Sequence, residues 1–215
     1  MIATIGLREW TAMLSGAIAQ VRAGHTRLSE LDSICGDGDH GTTMLRAANL
    51  LEKCVAQSSG KTMQAFLNDV GWALMGLDGG ATGPLLGSFF LGVSETVGLR
   101  NELDTSSMAE AFEGGLAFLT RQSRAHVGDK SMLDALVPAL KAMRRSADEG
   151  LPLKEALHAA AAAAEEGAAS TRNLVAKIGR ARYLGEKTLG AQDPGATSVS
   201  LLFRGFYQGI VTLEP

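Results

Sequence analysis

Cysteine and aromatic residues are scarce in this chain of 215 residues, which contains two Cys, two Trp and two Tyr. Cys35 and Cys54 do not have the spacing of a metal site, and they indicate no disulfide framework. Because aromatic residues make up only 5% of the chain, we expect a core built from Leu, Ala, Met, Val and Phe. The cysteine usage fits a reducing compartment, and we expect the protein to be cytoplasmic.

An excess of basic residues and a long apolar run are also missing. The formal net charge is −3 and the pI is about 5.8, which argues against a nucleic-acid-binding protein, because such proteins neutralise phosphates with Lys and Arg. No uninterrupted apolar stretch reaches the roughly 18 residues that indicate a membrane-spanning helix. Arg8 and Glu9 lie in an amphipathic N-terminal pattern, so we expect neither a signal peptide nor a membrane partner.

Apolar residues recur at helical spacing along nearly the whole chain, and strand-like alternation is almost absent. Helix starts carry their usual signals, such as Pro152 in a first turn and Asp193 before Pro194. The pattern predicts eight helices, at roughly 4–22, 41–57, 62–77, 81–98, 106–121, 131–147, 152–174 and 194–212. We therefore expect an all-α fold in which residues 1–215 form a single domain, a barrel or bundle of eight antiparallel helices.

The run from Leu31 to Gly41 crowds three aspartates and three glycines before the second predicted helix. Carboxylates this close repel one another, and Mg2+ removes the repulsion because it takes carboxylate oxygens and leaves other positions to water and phosphates. A solvated loop with a helix N-cap is the alternative interpretation. A calcium loop starting at Asp37 is excluded, since its fifth and twelfth positions would be Gly41 and Ala48.

Three further Gly-rich segments precede predicted helices: 78–84, 128–132 and 193–198. Each places free backbone N–H groups at a helix N-terminus, where the positive end of the helix dipole favours anions. Alternate loops of an antiparallel bundle meet at one end, so these segments and the acidic run are predicted to form one composite site. Gly60-Lys61-Thr62 is not the end of a P-loop, because the first glycine of that motif would fall at Val55.

Taken together and in this order, the motifs resemble the nucleotide-binding L subunit of dihydroxyacetone kinase. The resemblance covers nearly the whole chain, through the segments 32–41, 79–84, 128–134, 179–186 and 192–198. It implies a barrel of eight antiparallel helices that holds ADP or ATP with two Mg2+ at one end.

The resemblance also implies roles for individual residues. Asp32, Asp37 and Asp39 are the implied metal ligands. Arg180 is the expected catalytic cation, since a guanidinium offers fixed, bidentate donors to a transferring phosphoryl group. Lys130 is open to two interpretations, a second such cation or a partner of Asp129. Contacts to the nucleotide are implied for His40, Gly41, Thr42, Thr43, Ala81, Thr82, Met132, Arg180, Asp193, Pro194 and Gly195.

The implied function is that of a phosphotransferase subunit, which passes a phosphoryl group to dihydroxyacetone or a similar short ketose held by a K-type partner subunit. In one version an M-type subunit recharges bound ADP, and in the other ATP is consumed directly. The alternative is a non-catalytic Mg-nucleotide-binding regulatory module that acts through a protein partner. Departures from the family pattern at Ser123, Arg182 and Ala191 spare the three aspartates but leave the ketose and the form of the nucleotide open.

Overall fold

The computed structural model describes residues 4–214, which are largely helical. Within these residues there are eight α-helices: α1 (Leu7–Cys35), α2 (His40–Ala56), α3 (Met63–Met75), α4 (Thr82–Val97), α5 (Thr105–Gln122), α6 (Leu133–Asp148), α7 (Leu153–Ser170) and α8 (Pro194–Val211). Two 3-10 segments, Thr171–Asn173 and Arg180–Thr188, lie between α7 and α8. Extended pairing in the described region is limited to a bridge between Ile5 and Leu103. The all-α prediction is confirmed.

The helices form a closed ring. Each helix packs against the next one along the chain, and α8 returns to pack against α1. In this antiparallel barrel the segments before α2, α4, α6 and α8 meet at one end, which we call the pocket end. Among residues 4–214, none of the helices combines the length and the apolar character needed to cross a membrane.

The few aromatic residues are concentrated in the core. The ring of Phe112 on α5 has its centroid 5.6 to 6.2 Å from those of Trp10, Phe89, Phe203 and Phe206. All five side chains are buried. Large apolar rings in edge or tilted contact contribute strongly to packing, so this cluster ties α1, α4, α5 and α8 together.

Helices α1 and α8 approach each other backbone to backbone. A Cβ on Gly205 would overlap the backbone of Ala17, and a Cβ on Gly209 would overlap that of Ala12. Glycine is therefore required at both positions of α8. The close contact holds α8 along α1, and the last turn of α1 and the first turn of α8 contribute residues to the pocket end.

The first helix is longer than the predicted 4–22, because α1 continues to Cys35. Val21, Leu28 and Leu31 are buried at helical spacing through the polar stretch. Its charged residues lie on the solvent face, where Arg27 and Glu30 form an ion pair at 3.1 Å. Asp32 consequently belongs to the last turn of a helix instead of a loop.

The connection between α7 and α8 also differs from the prediction. The predicted helix 152–174 ends at Ser170, and the 3-10 segment Arg180–Thr188 lies where no helix was predicted. Gly179 just before this segment and Gly185 within it have positive φ values of 62° and 56°, which interrupt regular helix. The remaining six predicted helices agree with the structure to within a few residues at each end.

Candidate functional site

An acidic loop joins α1 to α2. Asp32 lies in the last turn of α1, and Asp37 and Asp39 follow in the loop. Gly38 between them has a φ of 78°, a left-handed conformation that glycine adopts without steric cost. One carboxylate oxygen from each aspartate lies within 4.8 Å of the other two. The structure thus brings the three predicted metal ligands together.

Two contacts link this loop to its surroundings. Asp32 Oδ2 accepts a hydrogen bond from the backbone N–H of His40 at 3.2 Å, and the Arg180 guanidinium forms an ion pair with Asp37. The side chains of Arg180 and Asp37 are 63% and 50% exposed. Exposed ion pairs contribute little to stability, so Arg180 can exchange Asp37 for another anion at small cost.

His40 joins three helices at the first turn of α2. Its Nε2 lies 2.7 Å from Ser198 Oγ on α8, and its Nδ1 lies 3.4 Å from Thr82 Oγ1 on α4. Burial lowers the pKa of His40, although the nearby Asp32 carboxylate opposes the change. The ring is therefore neutral at pH 7 and suited to hydrogen bonding in the pocket wall.

Segments before α2, α4, α6 and α8 enclose a cavity of about 250 Å3 at the pocket end. The four segments that were expected to meet therefore line one cavity. The cavity is lined by the acidic loop with Cys35 and His40, by Gly79, Gly80, Ala81 and Thr82, by Lys130 and Ser131, by Ile178, Gly179, Arg180 and Ala181, and by Asp193 and Pro194.

A second cavity of about 190 Å3 adjoins the first and shares five lining residues with it, namely His40, Ala81, Thr82, Asp193 and Pro194. Its other walls are mainly apolar, formed by Leu85, Leu86, Met132, Gly195, Ser198 and Val199. The pocket end therefore offers a polar, charged compartment beside an apolar one.

Three predicted nucleotide-contact residues lie apart from both cavities, whose linings among the described residues include neither Gly41, Thr42 nor Thr43. Gly41 packs against α1, where a Cβ would overlap the His25 carbonyl. Thr43 is buried, and its hydroxyl lies against Gly79. Helical geometry explains this result, because successive residues of a first turn point in different directions.

Lys130 does not pair with Asp129, which corrects one of the two interpretations given above. The Asp129 carboxylate contacts His126 and Lys177 instead. Lys130 is buried, and its Nζ donates hydrogen bonds to the backbone carbonyls of Thr171 and Ala191, each at 2.7 Å. A lysine in a Gly-Asp-Lys-Ser turn normally suggests a surface position, so sequence alone offers little signal for this burial.

Asp193 caps the N-terminus of α8. Its Oδ2 accepts a hydrogen bond from the backbone N–H of Ala196 at 2.7 Å, and its own N–H donates to Thr171 Oγ1 at 2.8 Å. Burial raises the pKa of Asp193 to about 7, and the neighbouring Asp134 adds to the effect while the bond from Ala196 opposes it. The carboxyl group is thus poised between its neutral and charged forms at neutral pH.

The residues that depart from the family pattern have distinct settings. Ser123 follows α5, and its Oγ accepts a hydrogen bond from the Ala125 N–H at 3.1 Å. Arg182 is exposed and stacks its guanidinium 4.6 Å from the Tyr183 ring centroid. Ala191 is buried, and its carbonyl receives one of the Lys130 hydrogen bonds.

Comparison with known proteins gives consistent relatives. Residues 34–208 match the DAK2 domain. The chain is 36% identical over 177 residues to the ADP-binding subunit DhaL of the PEP-dependent dihydroxyacetone kinase of Escherichia coli, covering 82% of this chain and 84% of that protein. It is 35% identical over 179 residues to the D-erythrulose kinase of Mycolicibacterium smegmatis, covering 82% of this chain but only 31% of that enzyme.

A solved structure shares the fold. The crystal structure of the dihydroxyacetone kinase from C. freundii in complex with AMP-PNP and Mg2+ aligns with a TM-score of 0.72 and 26% identity. The alignment covers 92% of this chain and 33% of the kinase chain, so this chain corresponds to about a third of that enzyme. The family match over most of the chain and the identity to a full-length DhaL subunit agree with the helical barrel, and the chain belongs to the DAK2 domain family.

Proposed function

We propose that this chain is the nucleotide-carrying subunit of a short-chain ketose kinase and transfers a phosphoryl group from Mg-nucleotide to dihydroxyacetone or a similar ketose. The observation that carries the proposal is the cluster of Asp32, Asp37 and Asp39 facing a cavity at four helix N-termini. Two similar proteins support it. One is named the ADP-binding subunit of a dihydroxyacetone kinase, and the other is a dihydroxyacetone kinase solved in complex with AMP-PNP and Mg2+.

The three aspartates fit Mg2+ by their chemistry. Carboxylate oxygens are the ligands that this hard cation prefers, and it commonly completes its shell with water and substrate phosphates. Two such ions, held by these carboxylates, would supply positive charge that stabilises a transferring phosphoryl group. Three carboxylates alone would repel a polyphosphate, so we expect nucleotide binding to require the metal.

The two cavities fit the two halves of a nucleotide. Phosphates favour helix N-termini, where free N–H groups and the helix dipole attract anions, and the polar cavity is bounded by the starts of α2, α4 and α8. The apolar cavity beside it, with Leu86, Met132 and Val199, would take the base. We propose that ADP or ATP lies across both.

Arg180 is the proposed catalytic cation. Its exposed guanidinium already pairs with Asp37 at the mouth of the polar cavity, so it lies where an incoming phosphoryl group would meet the metal site. In the proposed reaction a ketose hydroxyl oxygen forms the new bond to phosphorus, the bond from phosphorus to ADP breaks, and the hydroxyl proton is released. The role of Arg180 would be to stabilise charge on the departing phosphoryl oxygens.

The surface around the cavity suggests how the acceptor arrives. Eight large hydrophobic side chains are exposed in the described chain, and six of them lie at the pocket end: Ile34, Trp72, Val127, Tyr183, Leu184 and Leu189. Residues 171–190 of the same end carry five Lys or Arg and one Glu, although the whole chain has a net charge of −3. Such a mixed basic and apolar rim fits a protein face that is acidic and partly apolar.

We propose that a K-type partner subunit docks on this rim and holds the ketose. An M-type phosphoryl-donor subunit would use the same open end if ADP is recharged in place. Because the D-erythrulose kinase is a relative, the proposed acceptors include four-carbon ketoses. We expect the complex to work in the cytoplasm.

The metal site is tested by calorimetry with ADP in the presence of Mg2+ or EDTA. Asp37→Asn should weaken Mg-dependent binding at least about tenfold, which corresponds to roughly 1.4 kcal/mol. Asp148→Asn, at an exposed position at the end of α6, is the matched control and should bind like wild type. Equal affinity of wild type for ADP in Mg2+ and in EDTA would contradict the proposal.

Turnover is tested by reconstitution. The purified chain with ATP should not phosphorylate dihydroxyacetone until a K-type subunit is added. Robust activity without a partner would indicate a self-contained kinase, and nucleotide binding without transfer in the complex would favour the regulatory module. Identification of any nucleotide released on denaturation separates resident ADP from exchangeable ATP.

A further inference from the structure

Lys130 has an unusual backbone and an unusual environment. It is the one non-glycine residue with positive φ in the described part of the chain, at 62°, a left-handed conformation that strains an ordinary side chain. The residue is also only 4% exposed, although burial of an ammonium group is costly unless it is well hydrogen-bonded. Both costs must be offset by the contacts that this side chain makes.

Those contacts lie at the two ends of one segment. The carbonyls of Thr171 and Ala191, which accept from Lys130 Nζ, flank residues 172–190, which we call the strap. The backbone N–H of Gly190 also donates to the Arg172 carbonyl at 2.9 Å. The base of the strap is therefore closed by the buried ammonium together with one backbone hydrogen bond.

Beyond its base the strap is tied to the barrel at Lys177, whose backbone N–H donates to the Asp129 carbonyl at 3.1 Å and whose Nζ lies 3.5 Å from the Asp129 carboxylate. Ile178 next to it packs against the core, and the weakly anchored outer part is 179–187.

Gly179 and Gly185 have positive φ, and a Cβ at either position would meet open space. Thr188 is buried and gives one internal anchor, where its Oγ1 accepts from the Ala176 N–H at 3.0 Å. Arg180 lies on this outer part and reaches Asp37 of the acidic loop, so the place of Arg180 depends on the closed base together with the contacts of Lys177.

We propose that Lys130 is a positioning residue whose ammonium closes the base of the strap and thereby holds Arg180 over the acidic loop. Lys130 acts through the strap, because its head group donates to the Thr171 and Ala191 carbonyls at the two ends of that segment. The consequence for catalysis rests on the proposed function of Arg180. The closure of the strap itself does not depend on that proposed function.

The closure is tested by hydrogen exchange on the ligand-free protein. Lys130→Met keeps the apolar stem and removes the ammonium. Lys130→Gly removes the ammonium and also relieves the backbone strain, so the test can still be made if Lys130→Met fails to fold. Amides of residues 176–190 should exchange at least about tenfold faster in both variants, while buried amides of α1 and α8 keep their wild-type rates. Lys187→Met, at an exposed strap position, is the matched control and should stay within about twofold of wild type.

The inference would be overturned if the strap amides exchanged at wild-type rates in both Lys130 variants. A uniform acceleration of amide exchange throughout the protein in both variants would also overturn it, since that result indicates a general loss of stability.

The coupling to Arg180 is measured as kcat of the reconstituted complex in a double-mutant cycle. Lys130→Met added to Arg180→Ala should cost little beyond Arg180→Ala alone, and fully additive losses would contradict action through Arg180. Failure of wild type to bind Mg-ADP would refute the proposed function, whereas the exchange measurement would still decide the role of Lys130.

Discussion

Thr43 and Gly79 meet where the segment before α4 lies over the first turn of α2. The Thr43 hydroxyl is buried and has no hydrogen-bond partner among the described residues. Gly79 lies against it with a φ of 127°, and the next residue, Gly80, has a φ of 71°. An unpaired buried hydroxyl costs roughly 1–3 kcal/mol, so the Thr43 hydroxyl does not stabilise this contact.

Alanine substitution should distinguish these two glycines. A Cβ on Gly79 would overlap Thr43, whereas a Cβ on Gly80 would meet open space. We expect Gly80→Ala to lower the free energy of unfolding by about 1 kcal/mol for its backbone conformation alone. Gly79→Ala should cost about 2–3 kcal/mol because the steric overlap adds to the backbone strain. Urea denaturation measures both free energies of unfolding. Equal losses in the two variants would show that the Thr43 side chain moves aside at little cost.

At the scale of secondary structure, two helices start with the same capping residue in different surroundings. Asp104 accepts from the Ser107 N–H at 2.8 Å at the start of α5, near solvent. That side-chain and backbone hydrogen bonding lowers the pKa of Asp104, whereas burial raises the pKa of Asp193 at the start of α8. The same type of cap therefore has opposite effects on the pH dependence of stability: Asp104 contributes stability that is lost at low pH, and Asp193 contributes stability that is lost at high pH.

The Asp193 carboxyl should destabilise the ligand-free protein at alkaline pH. A raised folded-state pKa contributes stability that is present below the unfolded pKa near 4 and is lost as the pH rises through about 7. Asp193→Asn keeps a cap and removes the charge. We expect the variant to exceed wild type by about 1–3 kcal/mol at pH 8 and to lose this advantage below pH 5, in melting curves recorded in EDTA.

Asp104→Asn is the control and should have the opposite sign. A lowered folded-state pKa contributes stability that is present above the unfolded pKa and is lost as the pH falls through the folded value. The variant should be less stable than wild type at pH 7 by under about 1 kcal/mol, since the site is exposed and screened. Parallel pH profiles for the two substitutions would contradict the different environments of the caps.

For the whole molecule, the closed ring of helices means that residues from distant parts of the sequence form one site. Asp32, Thr82, Lys130 and Asp193 all line the same cavity. A ligand that spans this cavity would contact residues that belong to, or directly precede, α1, α4, α6 and α8 at the same time. Binding should therefore stabilise the barrel as a unit.

Hydrogen exchange and thermal melting test this connection. At a nucleotide concentration of 100 times Kd, binding adds about 2.7 kcal/mol to native stability, which corresponds to a rise in Tm of roughly 5–10 °C for a protein of this size. Amides in 36–43, 79–84 and 193–198 should be protected together. The loop 98–104 at the opposite end should exchange as before, and protection of one pocket-end segment alone would contradict a composite site.

Much of this architecture was accessible from the sequence because its signals are local. Helical spacing predicted the eight helices, and the three aspartates fall within eight positions of one another, so a short loop suffices to gather them. The continuation of α1 to Cys35 was missed because residues 23–30 are polar. Only packing against the other helices shows that Leu28 and Leu31 keep the buried face continuous through that stretch.

The sequence by itself determined the helical class, the acidic loop and the helix N-termini that surround the site, since each depends on neighbours a few residues away. The tertiary structure alone decided that Gly41, Thr42 and Thr43 lie outside the cavities, that Lys130 is buried beneath the strap, and that Asp193 has a raised pKa. These properties depend on the direction of a side chain and on its burial by residues far away in sequence. Helical periodicity carries no information about such contacts until the ring of helices closes.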